Sequence, residues 1–440
     1  MDDLLGGQVP PALGLAVSGG GDSMAMLALA DVWARQHDVQ LWVITVDHGL
    51  RPEAVAEAQM VAKTCARMGH GHAIARWQWD GTGNMQARGR EARLGLIDRW
   101  RGRLTQVLMG HTRDDVAETF LMRLERGAGV RGLAAMRADR PVAPQPFVPG
   151  DITGDMPPQR DSDKATRTQT LGRGGFRLLR PCLDLGRTDL RDYLSAQGLT
   201  WADDPSNADD RYDRVRMRAL LAQWEDAGFG VSTMAAAASR LARARPALDA
   251  RACDVWRQFG AVQKLTGEIH LSPRFTSVEE DTALRILSAA LRFISSAPYG
   301  PRAAKLQALW QQMAQGQGGT LHGCELRFEK HTIRIFREYA ALADHTISAA
   351  YRQVWDHRWI VNSTAHNGLT LRALGPDGWS QIETPPAGHP PFHAARSLPS
   401  LWQGAQLRWC GALGLGKPHD VLLRPMQMPT LSFADFLLSH

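Results

Sequence analysis

The chain has 440 residues, 44% hydrophobic and 22% charged, which is ordinary globular composition and excludes a disordered, fibrous or coiled-coil protein. At about 150 residues per domain, this length predicts about three domains. Of 51 basic residues only six are lysines and 45 are arginines, with a net charge of +6. Guanidinium groups chelate phosphate in pairs, which fits a nucleic-acid partner, although the arginine codons of a GC-rich genome would give the same composition. No run of about 18 apolar residues occurs, and Asp2, Asp3, Pro10 and Pro11 stand where a signal peptide needs a basic start, so a cytoplasmic location away from membranes is expected. Cys65, Cys182, Cys253, Cys324 and Cys410 are odd in number and far apart, which argues against a disulfide framework or a structural zinc site.

Short apolar runs alternate with helical patterns over the first 135 residues, as in a doubly wound α/β domain with a parallel sheet. Strands are predicted at Leu13–Val17, Leu41–Val46, Ala73–Trp79 and Gln106–Met109, and helices at Ser23–Arg35, Glu53–Met68, Gln86–Arg99 and Asp114–Glu125. From 137 to 175 prolines, glycines and mixed charges predict a flexible insertion. A helix at Asp189–Gln197 then closes the first domain. Residues 228–312 read as helical, notably Met234–Ala244 and Ala283–Phe293, followed by strands at Cys324–Phe328 and Thr332–Phe336. The stretch 345–440 reads as short strands and turns.

The densest chemical signal is Ser18-Gly19-Gly20-Gly21-Asp22-Ser23, between a strand and a helix. Three glycines let the backbone approach an anion, and the helix start offers unpaired amides, so this loop reads as a pyrophosphate cradle. Asp22 inside an anion site makes sense if it holds Mg²⁺ or a cationic substrate beside the phosphates. Two decoys fail. Gly411 to Lys417 has Walker spacing but continues with Pro418, and Gly127 to Gly132 has dinucleotide spacing but follows a helix.

His111, Asp115 and Glu118 stand at i, i+4 and i+7, on one face if the helix begins at His111. Acids at a helix start are also ordinary caps. Asp47, ending the second strand, reads equally as a nucleotide-edge residue or a cap. Arg90 and Arg93 share a helix face. Arg214, Arg216 and Arg218 follow an acidic turn, and read either as a phosphate grip or as a surface salt-bridge cluster. Trp77 and Trp79 read as core packing.

In this order, Ser18 to Ser23, Val46 to Pro52, Arg90 to Arg93, His111 to Thr119 continuing to Gly129, Arg180-Pro181, and Trp201 to Asn207 resemble the PP-loop ATP pyrophosphatases, and more closely the bacterial tRNA(Ile)-lysidine synthases. The match runs over about the first 218 residues, and a weaker one continues through Gly319 to Cys324 and Arg337-Glu338. Leu94 departs from the Tyr usual after the arginine pair, and Val215 from the Asn found in many members.

The resemblance implies a catalytic domain over 1–220, a mostly helical tRNA- or substrate-binding domain over 221–340, and a small α+β region over 341–440 in contact with tRNA. It implies that ATP adenylates carbon 2's oxygen on the wobble cytidine of a tRNA(Ile) with a CAU anticodon, and that free L-lysine then displaces AMP. The cofactors implied are ATP and Mg²⁺. Ser18, Gly19, Gly20, Gly21, Asp22, Ser23 and Asp47 would bind the nucleotide, and Asp22 the metal or the amino acid. Asp115 and Glu118 would bind lysine, and His111 would orient a group or accept a proton. Arg90, Arg93, Arg214 and Arg218 would stabilise phosphate charge. Both a monomer and a homodimer fit the sequence. Among other readings, a thiolating enzyme needs a reactive cysteine near the loop motifs, where the sequence places none. An ammonia-transferring relative needs a glutaminase domain, for which the 17 residues before Ser18 leave no room. A non-catalytic RNA-binding protein leaves the Asp22, Asp115 and Glu118 acids unexplained.

Overall fold

Apolar runs flanked by crossover helices become strands buried on both faces, because only a parallel sheet covered by helices removes them from water. The computed structural model describes residues 1–49, 53–79, 81, 85–145, 147–159, 174–203, 213–350, 353–361, 368–385, 387–416, 421–423 and 432–439. A short helix α1 (Asp2–Leu5) precedes β1 (Ala12–Ala16), α2 (Gly21–His37), β2 (Gln40–Asp47), α3 (Glu53–Met68), β3 (Gly71–Trp77), α4 (Met85–Trp100), β4 (Gln106–Met109) and α5 (Arg113–Glu125). After these come α6 (Val130–Leu133), β5 (Asp139–Val142), β6 (Gly150–Gly154), β7 (Phe176–Leu179), α7 (Arg187–Ala196), α8 (Asp213–Trp224) and α9 (Val231–Phe259).

The sheet order is β5-β7-β4-β1-β2-β3-β6. Its five inner strands are parallel, and β5 and β6 pair antiparallel at the two edges. Strand order reverses between β1 and β4, so the loops leaving these neighbours open into one crevice at their carboxyl ends. Pairing of Ala16 with Met109 sets the two exits level.

The edge strands correct the expectation of flexibility from 137 to 175. Pro141 reads as a strand breaker, yet it lies in β5 on the sheet's outer edge, where its missing N–H costs no ladder bond. The buried pair Asp98–Arg101 (2.7 Å) clamps this excursion at both ends. Asp98 accepts from the Gln145 amide at 2.8 Å, and Arg101 donates to the Gly174 carbonyl at 2.5 Å. Residues 160–173 of the expected insertion lie outside the described residues. Trp77 enters the core as expected, whereas Trp79 lies past the strand end and is 38% exposed.

The chain forms two compact units, Met1–Arg245 and Pro246–His440. The division falls inside α9, at a proline that cannot donate to the preceding turn. In the second unit β8 (Gly260–Val262), β9 (Ile269–Leu271), β10 (Gly319–Leu321), β11 (Cys324–Phe328) and β12 (Ile333–Arg337) form an antiparallel sheet against α10 (Glu280–Ser295) and α11 (Ala303–Ala314). Two smaller antiparallel sheets follow. Among the described residues no helix is long and apolar enough to cross a membrane.

Gly110, at the exit of β4, has no room for a side chain. A Cβ there would stand 2.9 Å from Ser23 Cα and 3.0 Å from the Asp22 carbonyl oxygen. Because these are backbone atoms of the facing loop, Gly110→Ala is expected to lower the protein's stability by about 1–3 kcal/mol, read as a drop in thermal midpoint; an unchanged midpoint would show that β4 and α2 do not approach this closely.

Candidate active site

The glycine loop leaves β1 and turns through Gly19, at φ +95°, a left-handed conformation that favours glycine. Ser23 braces the turn from within: its hydroxyl donates to the Gly20 carbonyl (2.9 Å) and accepts from the Ser18 amide (3.1 Å). From outside, the Ala202 amide donates to the Gly19 carbonyl at 2.9 Å, and Trp201 packs over Gly21. No side chain caps α2, so its first amides and dipole end face the crevice.

The helix α5 begins at Arg113, with Thr112 as its cap, so His111 precedes the helix. The expected single face is therefore reached differently: Asp115 and Glu118 share a helix face and His111 joins them from the loop. Asp115 is divided between two tasks. Its Oδ2 accepts from the Thr112 amide (2.9 Å) and hydroxyl (3.2 Å), which is the capping role, while Oδ1 faces Arg187 and Arg214, each at 3.7 Å.

Arg187, at the start of α7, unites the acids and is the residue that sequence reading missed. It bonds Asp22 at 3.1 Å and Glu118 at 3.0 Å, besides approaching Asp115. Its backbone amide donates to Asp114 at 2.8 Å, and the Arg113 amide to the Leu185 carbonyl at 3.0 Å, which docks α7 on the start of α5. The signal available in sequence was only an arginine one residue after Gly186. The three carboxylates hold the Arg187 guanidinium well above its ordinary value against the opposing effect of burial.

The helix α8 packs its Met217 and Leu221 against Val116, Phe120 and Leu121 of α5. That contact lays Arg218 on Glu118 (3.0 Å) and Arg214 beside Asp115. Arg216 lies elsewhere, paired with Asp213 at 2.6 Å. The alternating trio is thus split by helical periodicity, with i and i+4 in the site. Residues 204–212 of the preceding acidic turn lie outside the described residues.

A second charge cluster surrounds His111. Burial lowers the Arg93 guanidinium's affinity for its proton, and the Arg214 and Arg90 charges lower it further. Arg180 is pushed down to about 10 by burial and by Arg140. Among the described residues Arg93 and Arg180 have no carboxylate partner, and guanidinium groups left without a counter-charge can take an anion. Arg93 reaches His48 Nε2 at 3.4 Å, and Arg90 lies exposed at the rim. Asp47 is engaged on both oxygens, by the Gly49 amide at 2.8 Å and by Arg76 at 3.2 Å.

Burial raises the Asp22 carboxyl; Arg187 opposes, while Asp115 and Asp114 add to the rise. Its Oδ1 is buried without a hydrogen-bond partner, as is Glu118 Oε2. An orphaned carboxylate oxygen beside an uncapped helix start fits a hard cation such as Mg²⁺, which Asp22 would hold next to bound phosphates. Among the described residues no three His, Cys, Asp or Glu side chains are grouped to hold a metal by themselves. Cys182, expected far from the loop motifs, lies near enough for Asp22 to act on it; burial first, then that charge, pushes its thiol up to about 11, away from the thiolate form.

His48, His72 and His111 are each pushed down to about 4, chiefly by burial. A histidine that is neutral when folded but takes a proton at about 6.5 when unfolded destabilises the fold as pH falls from about 6.5 to 4, by up to about 1.4 kcal/mol per pH unit each. Denaturant midpoints across that range are expected to fall, and His72→Gln to reduce the slope. Arg187→Ala strips the counter-charge from buried carboxylates and is expected to cost about 3 kcal/mol, whereas Arg187→Lys loses less in the same measurement.

Residues 2–224 match the PP-loop domain family. Over nearly its whole length the chain is similar to the tRNA(Ile)-lysidine synthase of Ruegeria pomeroyi, with 37% identity covering 98% of this chain and 95% of that protein. It is 36% identical to the tRNA(Ile)-lysidine synthase of Hyphomonas neptunium, over 71% of this chain and 78% of that one. Its identity to that of Wolbachia pipientis is 30%, over 81% and 78% of the two chains. The glycine loop and α5 both lie within the matched range, and the chain belongs to the tRNA(Ile)-lysidine synthase family of PP-loop ATP-binding proteins.

Proposed function

We propose that this crevice joins free L-lysine to carbon 2 of the wobble cytidine in a tRNA(Ile) with a CAU anticodon, in two steps. In the first, the cytidine O2 attacks the α-phosphorus of ATP and pyrophosphate leaves. In the second, the lysine ε-nitrogen attacks carbon 2, AMP leaves with the oxygen, and the amine loses a proton. The observation that carries this reading is the cage of Asp22, Asp115 and Glu118, already arranged around a cation, beside an uncapped glycine loop.

The loop amides of Ser18 to Ser23 hold the departing pyrophosphate, where charge develops. Asp22 holds Mg²⁺, which when bound neutralises phosphate charge. Asp115 Oδ1 and Glu118 bind the lysine ammonium, whose ordinary value is about 10.4, so the nucleophile must lose that proton within the site. Arg90, Arg93, Arg214 and Arg218 steady the α-phosphate, the adenylate or the tRNA backbone. Both occupied oxygens of Asp47 favour a supporting part beneath the nucleotide edge. The regions 221–340 and 341–440 bind tRNA, and the reaction takes place in the cytoplasm, where its three substrates coexist.

The test is ATP-dependent transfer of labelled lysine into bulk bacterial tRNA. Incorporation by the parent is expected to fall about a hundredfold or more in Asp115→Ala, the size of a lost binding and proton-handling group. If AMP forms in a tRNA-dependent way while no lysine enters, the nucleophile is wrong. Glu118→Gln is expected to raise KM for lysine about tenfold, equivalent to about 1.4 kcal/mol, with KM for ATP unchanged.

A further inference from the structure

The side chain of Arg180, which follows β7, donates from Nε to His111 Nδ1 at 3.2 Å and from Nη1 to the Arg137 carbonyl at 2.6 Å. Its own amide donates to the Ala138 carbonyl at 2.7 Å, so backbone and side chain together fix where the guanidinium lies. Arginine has donors only and keeps its proton. The imidazole nitrogen it meets must therefore offer a lone pair. In a neutral imidazole the other nitrogen then carries the hydrogen, and Nε2 has no protein partner among the described residues.

We propose that Arg180 is a positioning residue that locks His111 as its Nε2–H tautomer, so that this imidazole donates a hydrogen bond to a reacting oxygen and does not take the proton of the incoming amine. This rests on the lysidine reading only for the identity of the oxygen and the amine. The groups that act on the ring agree with it. Burial and the Arg180, Arg214 and Arg93 charges, from the segment after β7, from α8 and from α4, outweigh the attraction of Asp115 on α5 and keep the ring neutral. Of the two roles that sequence reading left open for His111, orienting and accepting, the geometry selects the first. The proton of lysine then passes to a carboxylate of the cage or to water.

The tautomer is read directly from the ring nitrogen shifts of ¹⁵N-histidine-labelled full-length protein, with His111→Asn identifying the signals by their loss. At neutral pH an unprotonated Nδ1 and a protonated Nε2 are expected. In Arg180→Ala the titration midpoint of His111 is expected to rise by about one pH unit or more, since a repelling charge goes and water enters. Arg180→Lys retains the charge and keeps the midpoint low. A protonated Nδ1 or a charged ring at neutral pH in the parent protein would overturn the proposal, as would an Arg180→Ala variant with the parent's shifts and midpoint. Because no substrate is present, this outcome is separate from failure of the lysine-transfer assay, and the parent spectrum decides even if Arg180→Ala does not fold. In the assay, Arg180→Ala is expected to slow tRNA-dependent AMP release about tenfold and leave KM for lysine unchanged.

Discussion

One guanidinium among three carboxylates holds the first unit's crevice in shape. Asp22, Asp115 and Glu118 converge from α2 and α5 in a partly dry space, where like charges a few ångströms apart repel by several kcal/mol unless a cation lies between them. Arg187 supplies that cation from α7, and Arg214 and Arg218 add two more from α8. The network therefore ties four helices to one point at the carboxyl ends of β1 and β4. It also explains why α7 is docked so closely on α5, with the Arg187 amide on Asp114. A shift of that helix by one bond length would break its contacts with both Asp22 and Glu118.

Beside this balanced cage lies an unbalanced one. Arg93 and Arg180 act on His111 and have no carboxylate partners among the described residues, while Arg214 and Arg90 repel Arg93, and Arg140 repels Arg180. Several arginines of the second unit are instead paired with acids. In the second unit Arg285 pairs with Asp249 and Asp281, Arg334 with Glu268 and Glu329, and Arg337 grips Asp356 through both ends of its fork. Those are scaffold ion pairs, each charge met within the fold.

The two fields together suit a substrate pair of opposite sign. In the proposed reaction the carboxylate cage would take an ammonium, and the arginine cluster and glycine loop would take phosphates. His111 lies at their border, attracted by Asp115 and repelled by three guanidinium groups. Its neutrality follows from that position and from burial, and a neutral ring can direct a hydrogen bond without adding charge.

Much of this protein was settled by local sequence. The alternation of apolar runs and amphipathic stretches determined the elements from β1 to α5 almost to the residue, since burial on both faces of a strand and one face of a helix is a property of neighbours in the chain. Three glycines between a strand and a helix, and two acids one helical turn apart, were legible for the same reason. What lay beyond sequence depended on contacts between distant segments. Pro141 became a strand because it reached a sheet edge, and Asp47 lost its freedom to Arg76 and the Gly49 amide. The partition of Arg214 and Arg218 from Arg216 needed the packing of α8 on α5. Arg187 carries no local motif that announces a role, and the Arg180-Pro181 motif does not reveal that its guanidinium meets His111. His111 and Glu118 are each 69 residues from the arginine that meets them, and a charge network closed at that range exists only once the sheet has brought its strand ends together.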